Sequence, residues 1–189
     1  MKKSNNTKSL ILNEANKLFY RQGFVSTSFS HIVDKTGLSK GNITYHFKSK
    51  QDILKGIIAL RLDDIDTLLQ QWDKELSKPL DRLERFCEML IFEKDNLAEY
   101  GCPMGTITGE FSKNQAELHQ ISLIMFKRFR TWIAQQFVLL DYSAKIADEK
   151  AMSLLARAQG ISVITHVFKD KQFLEIEVKK LKDSLERGI

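Results

Sequence analysis

Apolar residues recur at three- and four-residue spacing along nearly the whole chain, while alternating strand-like runs are scarce, so the pattern predicts an all-α protein. Ile11, Ala15, Leu18 and Phe19 form the first stripe; with Thr7 as a cap and Gly23 as a left-handed stop, they predict a helix over about 8–22. Thr27 or Ser28 then caps a short helix carrying Phe29, Ile32 and Val33, which stops at Gly37. Ser39 caps a third, of about two turns, ending at Tyr45 or Phe47. From Lys50 to about Lys74 the apolar positions spread widely around the axis, as expected of a helix packed on more than one side. Pro79 and Pro103, as first-turn prolines, open helices to about Leu97 and Phe111, and further helices are expected over 116–139, 143–168 and 172–187. Repeats, low-complexity stretches and long flexible linkers are absent from the sequence.

The two short helices and the turn Lys35-Thr36-Gly37-Leu38-Ser39 between them predict a helix-turn-helix, with Gly37 permitting the turn and Leu38 packing between the helices. The third helix is too short to bury a core alone but fits a DNA major groove, with Lys40, Asn42, Thr44 and Tyr45 available to bases or backbone. Charge agrees. The chain's net +5 divides unevenly: residues 1–60 hold ten Lys/Arg against three acids, net +7, and the rest hold nineteen against twenty-one, net −2. A basic head on a less basic body is the footprint of phosphate binding, and the expected division is a helix-turn-helix domain over 1–48 and a helical domain over 49–189.

The run from Ile32 to Lys50, containing Thr36-Gly37-Leu38-Ser39-Lys40-Gly41-Asn42-Ile43-Thr44-Tyr45-His46-Phe47, resembles the DNA-binding signature of TetR-family regulators. Thr7, Ile11, Ala15, Phe19, Gly23, Phe24 and Thr27 also sit where that family's head pattern places them, so the resemblance covers about residues 7–55. It implies an N-terminal three-helix DNA-binding head and a C-terminal ligand-binding and dimerisation domain. The implied partners are a pseudo-palindromic double-stranded DNA operator, a small-molecule effector and a second copy of the chain. It further implies that Thr27, Ser28, Ser39, Lys40, Gly41, Asn42, Thr44, Tyr45, His46 and Lys50 form the DNA-binding set. In that set Ser39 caps the recognition helix, Lys40 and Asn42 approach base edges, and Gly41 lets backbone approach a thymine methyl. Tyr45, His46 and Lys50 hold phosphates. Thr44 departs from the aromatic often found there, and Phe47 is read as core of the head.

Beyond the head, Phe86, Met89, Met104, Phe111, Phe126, Phe129 and Trp132 are candidates to line a pocket for an apolar or aromatic ligand, although each also serves as plain core. Glu110, His119 and Arg128 are candidate polar anchors. Gly105 and Gly109 share a face that permits close helix packing, and Cys102, just before Pro103, stands at a helix N-terminus. That placement offers an alternative, a redox- or electrophile-sensing regulator of the same fold. The last two helices carry more apolar surface than one partner covers, and the resemblance implies that they pair with their symmetry mates. Two cysteines are too few for a disulfide framework. Neither metal-ligand spacing nor a catalytic constellation occurs, so no cofactor and no enzymatic activity are expected. The start lacks an apolar run fit for a signal peptide and no later stretch suits a membrane, which points to the cytoplasm.

Overall fold

A computed structural model of the chain describes residues 2–111 and 115–187, and every regular element among them is an α-helix. The order is α1 (Lys2–Gln22), α2 (Phe29–Thr36), α3 (Lys40–His46), α4 (Lys50–Glu75), α5 (Pro79–Phe92), α6 (Lys94–Tyr100), α7 (Pro103–Phe111), α8 (Ala116–Val138), α9 (Ala144–Phe168) and α10 (Lys171–Glu186). Two elements depart from the expected pattern. First, α1 starts at Lys2, so Thr7 lies inside the helix rather than capping it; the residues between contain neither the Gly nor the Pro that would stop a helix. Second, the single helix expected from Pro79 to Leu97 breaks at Glu93, whose backbone (φ −98°, ψ 9°) separates α5 from α6. The polar run Glu93-Lys94-Asp95-Asn96 offers no apolar side chain to bury through that turn. Instead, Lys94 pairs with Glu175 and Lys171 with Asp95, fastening α6 to α10.

The chain divides into two compact units: residues 1–63 with 106–125, and residues 64–105 with 126–189. This division differs from the boundary expected at 48/49. In the first unit the burial continues past the helix-turn-helix through Ile53, Leu54, Ile57 and Ile58 of α4, and Ile107, Phe111, Leu118 and Met125 are buried with it. Gly56 lets α4 approach α1 closely, since a Cβ there would stand 2.7 Å from Leu12 Cδ2. Arg61 Nη2 donates to Asn16 Oδ1 at 2.6 Å between the same two helices.

In the second unit α5 and α10 pack along matched stripes, Leu83, Phe86, Cys87 and Leu90 on one and Leu174, Val178, Leu181 and Leu185 on the other. Ala147, Ala151, Leu154, Leu155 and Ala158 of α9 join that core, as do the ring pairs Phe86–Phe129 and Trp72–Trp132, each 5.6 Å between centroids. Arg82 donates to the carbonyls of Asp73 and Leu76, satisfying the end of α4. Lys182 pairs with both Glu84 and Glu88. Burial pushes the Cys87 thiol up to about 12, which leaves it protonated and inert in the core. The α10 stripe is thus consumed inside the unit. The apolar surplus expected on both last helices lies mainly on α9, at Met152, Val163, Ile164 and Val167, with Ile176 the exposed contribution from α10.

Candidate nucleic-acid interface

Local chemistry defines the helix-turn-helix residue by residue. Ser28 caps α2: its Oγ accepts the His31 N–H at 3.2 Å, while its own N–H donates to His31 Nδ1 at 3.3 Å. A histidine thus fills the place usually taken by Glu or Gln, and this residue was not singled out from the sequence because a Ser-x-x-His pattern resembles no common cap. Gly37 ends α2 in the left-handed region at φ 67°, where a side chain would be strained. Ser39 caps α3 by accepting the Asn42 N–H at 3.2 Å, and Ser49 and Asp52 exchange side-chain and backbone hydrogen bonds at the start of α4.

These caps set the rotation of α3. Ile43 is fully buried and Phe47 is 5% exposed, both facing the head's core, whereas Lys40, Gly41 and Asn42 are exposed and Tyr45 is 75% exposed. His46 is half-buried with its ring edge-on to Tyr45 at 5.1 Å. The Thr44 hydroxyl donates within its own helix, toward the Lys40 and Gly41 carbonyls at 3.0 and 3.1 Å, and so keeps its acceptor lone pairs. Apart from its chain neighbours and the backbone of its own helix, no atom stands closer than 4.0 Å to where a Gly41 Cβ would lie, so that patch of backbone is open.

Two members of the expected DNA-binding set are placed elsewhere. Thr27 is 1% exposed; its hydroxyl donates to the Gly23 carbonyl at 2.7 Å and accepts from Gln22 Nε2 at 3.2 Å. Lys50 Nζ turns into the head and donates to the carbonyls of Phe24 at 2.6 Å, Val25 at 3.3 Å and Thr27 at 2.7 Å, and it lies 4.3 Å from the centre of the Phe24 ring. Burial holds its pKa below the usual lysine value, against the opposing pull of the Glu110 carboxylate. Its ammonium therefore braces the turn between α1 and α2.

Of the residues singled out as possible ligand contacts, Phe86, Phe129 and Trp132 lie in the core of the second unit, with Met89 and Met104 half-buried against it. Phe126 is also half-buried. Phe111 belongs to the first unit, where it is fully buried with its ring edge-on to Phe24 at 5.0 Å. Arg128 pairs with Asp66 at 3.0 Å, and Glu110 accepts from backbone of the head. Gly105 meets Gln159 closely, as its spacing suggests, since a Cβ there would stand 2.8 Å from Gln159 Oε1; beside Gly109 the space is open. Cys102 is half-buried, its sulfur accepting from the Gly105 N–H at 3.5 Å and from Gln159 Nε2 at 3.4 Å. Among the described residues no cluster of His, Cys, Asp and Glu could hold a metal, and no helix is long and apolar enough to cross a membrane.

Comparison with known proteins agrees with this geometry. The family model for bacterial regulatory proteins of the tetR family matches residues 11–57. An HTH-type transcriptional regulator from the lacX 3' region of Lactococcus lactis is 28% identical over 192 residues, covering 96% of this chain and 94% of that protein. The HTH-type transcriptional regulator QacR of Staphylococcus aureus is 30% identical over 168 residues, covering 85% of this chain and 87% of its own length. A crystal structure of a TetR transcriptional regulator from Legionella pneumophila superposes with a TM-score of 0.83 at 19% identity, covering 93% of this chain and 95% of that one.

Proposed function

The chain belongs to the TetR family and is a DNA-binding transcriptional regulator, and on that premise we propose that it is a homodimeric repressor released from a pseudo-palindromic operator by a small apolar or aromatic molecule. The observation that carries the reading is the outward face of α3, where Lys40, Gly41, Asn42 and Tyr45 stand exposed while Ile43 and Phe47 anchor the helix from behind. Lysine donates well to guanine O6 and N7, and asparagine matches the donor–acceptor pair of adenine. Tyr45, His46 and the Ser28 and Ser39 caps suit phosphates, which set register without reading sequence. Thr44, whose hydroxyl proton is engaged within the helix, is left to contribute as an acceptor. Lys50 enters this reading as a brace of the head.

Dimerisation is supported by α9, whose exposed Met152, Val163, Ile164 and Val167 follow helical spacing around the small residues Ala156 and Gly160. A twofold pairing would cover this stripe and offer two copies of α3 to successive major grooves. The effector reading rests on Phe86, Phe129 and Trp132, flanked by Met89 and Met104, because methionine and aromatic walls adapt to flat apolar molecules. Such a molecule releases DNA only by the difference in its affinity for the DNA-competent and incompetent forms.

Selection of bound duplexes from a random pool tests the DNA reading: Lys40→Ala and Asn42→Ala should each flatten the consensus at one or two positions, by about 1–3 kcal/mol per lost base contact. A consensus unchanged in both variants removes them as base readers. Sedimentation tests the assembly. Wild type should be a dimer at micromolar concentration and Val163→Asp a folded monomer, and a dimeric Val163→Asp would exclude the α9 stripe from the interface. For the effector, aromatic compounds that raise the melting temperature should also lower operator affinity, and Phe129→Ala should change that response. If instead only thiol oxidation lowers affinity, and Cys102→Ser abolishes the effect, the half-buried Cys102 sulfur is the sensor and the aromatic pocket is not.

A further inference from the structure

Glu110 and Phe111 end α7, and both grip the turn between α1 and α2. Glu110 Oε1 accepts the Phe24 N–H at 3.1 Å and Oε2 accepts the Val25 N–H at 2.9 Å. The same carboxylate lies over Gly23: a Cβ at that position would stand 3.1 Å from Oε1 and 3.3 Å from Oε2, and Gly23 also holds φ at +88°, so the residue is small for two separate reasons. Phe111 seals the contact by packing against Phe24.

From the other side, Lys50 donates to the carbonyls of Phe24, Val25 and Thr27. Opposite charges thus hold opposite polar groups of one turn, the carboxylate taking its N–H groups and the ammonium its carbonyls, and charge-assisted hydrogen bonds are the strong ones. The turn leads directly into Ser28, the cap of α2, so its placement sets where α2 begins and, through Gly37 and Ser39, where α3 points.

We propose that Glu110 is a positioning residue for operator recognition, holding the helix-turn-helix in its DNA-competent arrangement through the α1–α2 turn without touching DNA. This rests on the DNA-binding reading above. The sign of one substitution separates it from a simple charge effect. Glu110 is an acid in a basic head, so if its charge alone mattered, removing it would strengthen attraction to phosphates and tighten binding to every sequence. If it positions the turn, Glu110→Gln must weaken operator binding although it makes the head more positive. The amide places an NH2 donor against one of two backbone donors and leaves that N–H without an acceptor.

The test uses the full-length protein and the consensus duplex that wild type selects from a random pool, titrated at several salt concentrations well below the melting temperature. Glu110→Gln should lose about tenfold or more in operator affinity, the scale of one lost charge-assisted hydrogen bond. The slope of log affinity against log salt should match wild type, because no phosphate contact is removed, whereas losing such a contact would lower the slope by about 1. Glu110→Asp, which keeps the charge but shortens the reach, should fall between the two. It also serves as the test variant should the Gln variant fail to fold. Operator affinity equal to or tighter than wild type in folded Glu110→Gln, or wild-type affinity in Glu110→Asp, overturns the proposal. A wild-type protein that selects no consensus overturns the DNA-binding reading instead.

Discussion

The backbone polar groups of the turn between α1 and α2 must be satisfied, and most of the head's geometry depends on how this is done. A buried or half-buried N–H or C=O without a partner costs on the order of 1–3 kcal/mol, so a turn that rests on side chains is only as well placed as those side chains. Here Lys50 comes from α4 and Glu110 from α7, and each reaches several backbone atoms at once. Thr27 completes the arrangement by donating to the Gly23 carbonyl, so a residue expected at the surface works inside the turn. With the turn placed, the Ser28, Gly37 and Ser39 caps, together with the buried Ile32, Ile43 and Phe47, carry its orientation into α3.

The second unit is organised by area burial rather than by polar clamps. The stripes of α5 and α10 interlock, and α9 uses small residues on its inner side, Ala147, Ala151 and Ala158, to lie close against them. The outer side of α9 retains an apolar stripe of a kind that monomeric proteins rarely leave uncovered. One helix thus serves two surfaces, which is why its apolar residues spread around the axis instead of forming a single face.

What was legible in the sequence follows the range of the interaction. Caps and stops act within four residues, so Ser39, Gly37 and the start of α9 at Ser143 were readable from local patterns, and Phe47, expected in the core of the head, is buried there. The TetR-family pattern lies in this same locally determined stretch. The break at Glu93 was not legible, because residues 93–96 contain neither Gly nor Pro and the α10 residues that pair with α6 lie about 80 positions later. Nor was the role of Glu110, whose partners at Phe24 and Val25 are 86 and 85 residues away. In sequence it was one acid near several aromatic residues, and a ligand anchor was the natural expectation. At Lys50 a basic residue beside a recognition helix suggests a phosphate contact, whereas in the fold its ammonium donates to three carbonyls from residues 23 to 26 positions earlier. The stripe on α10 was correctly seen as apolar, but a stripe does not say whether its partner is α5 or another chain.

Amide hydrogen exchange at Phe24 and Val25 in the DNA-free protein tests most directly whether the head is organised around this clamp. Val25 is 64% exposed in a surface turn, so without the clamp its amide should exchange on the timescale of an open loop. If the clamp organises the head, both amides are protected to the same degree as the helical amides of α2 and α3, with which they would open as one unit. Rapid exchange at Phe24 and Val25 beside slow exchange in those helices would contradict it.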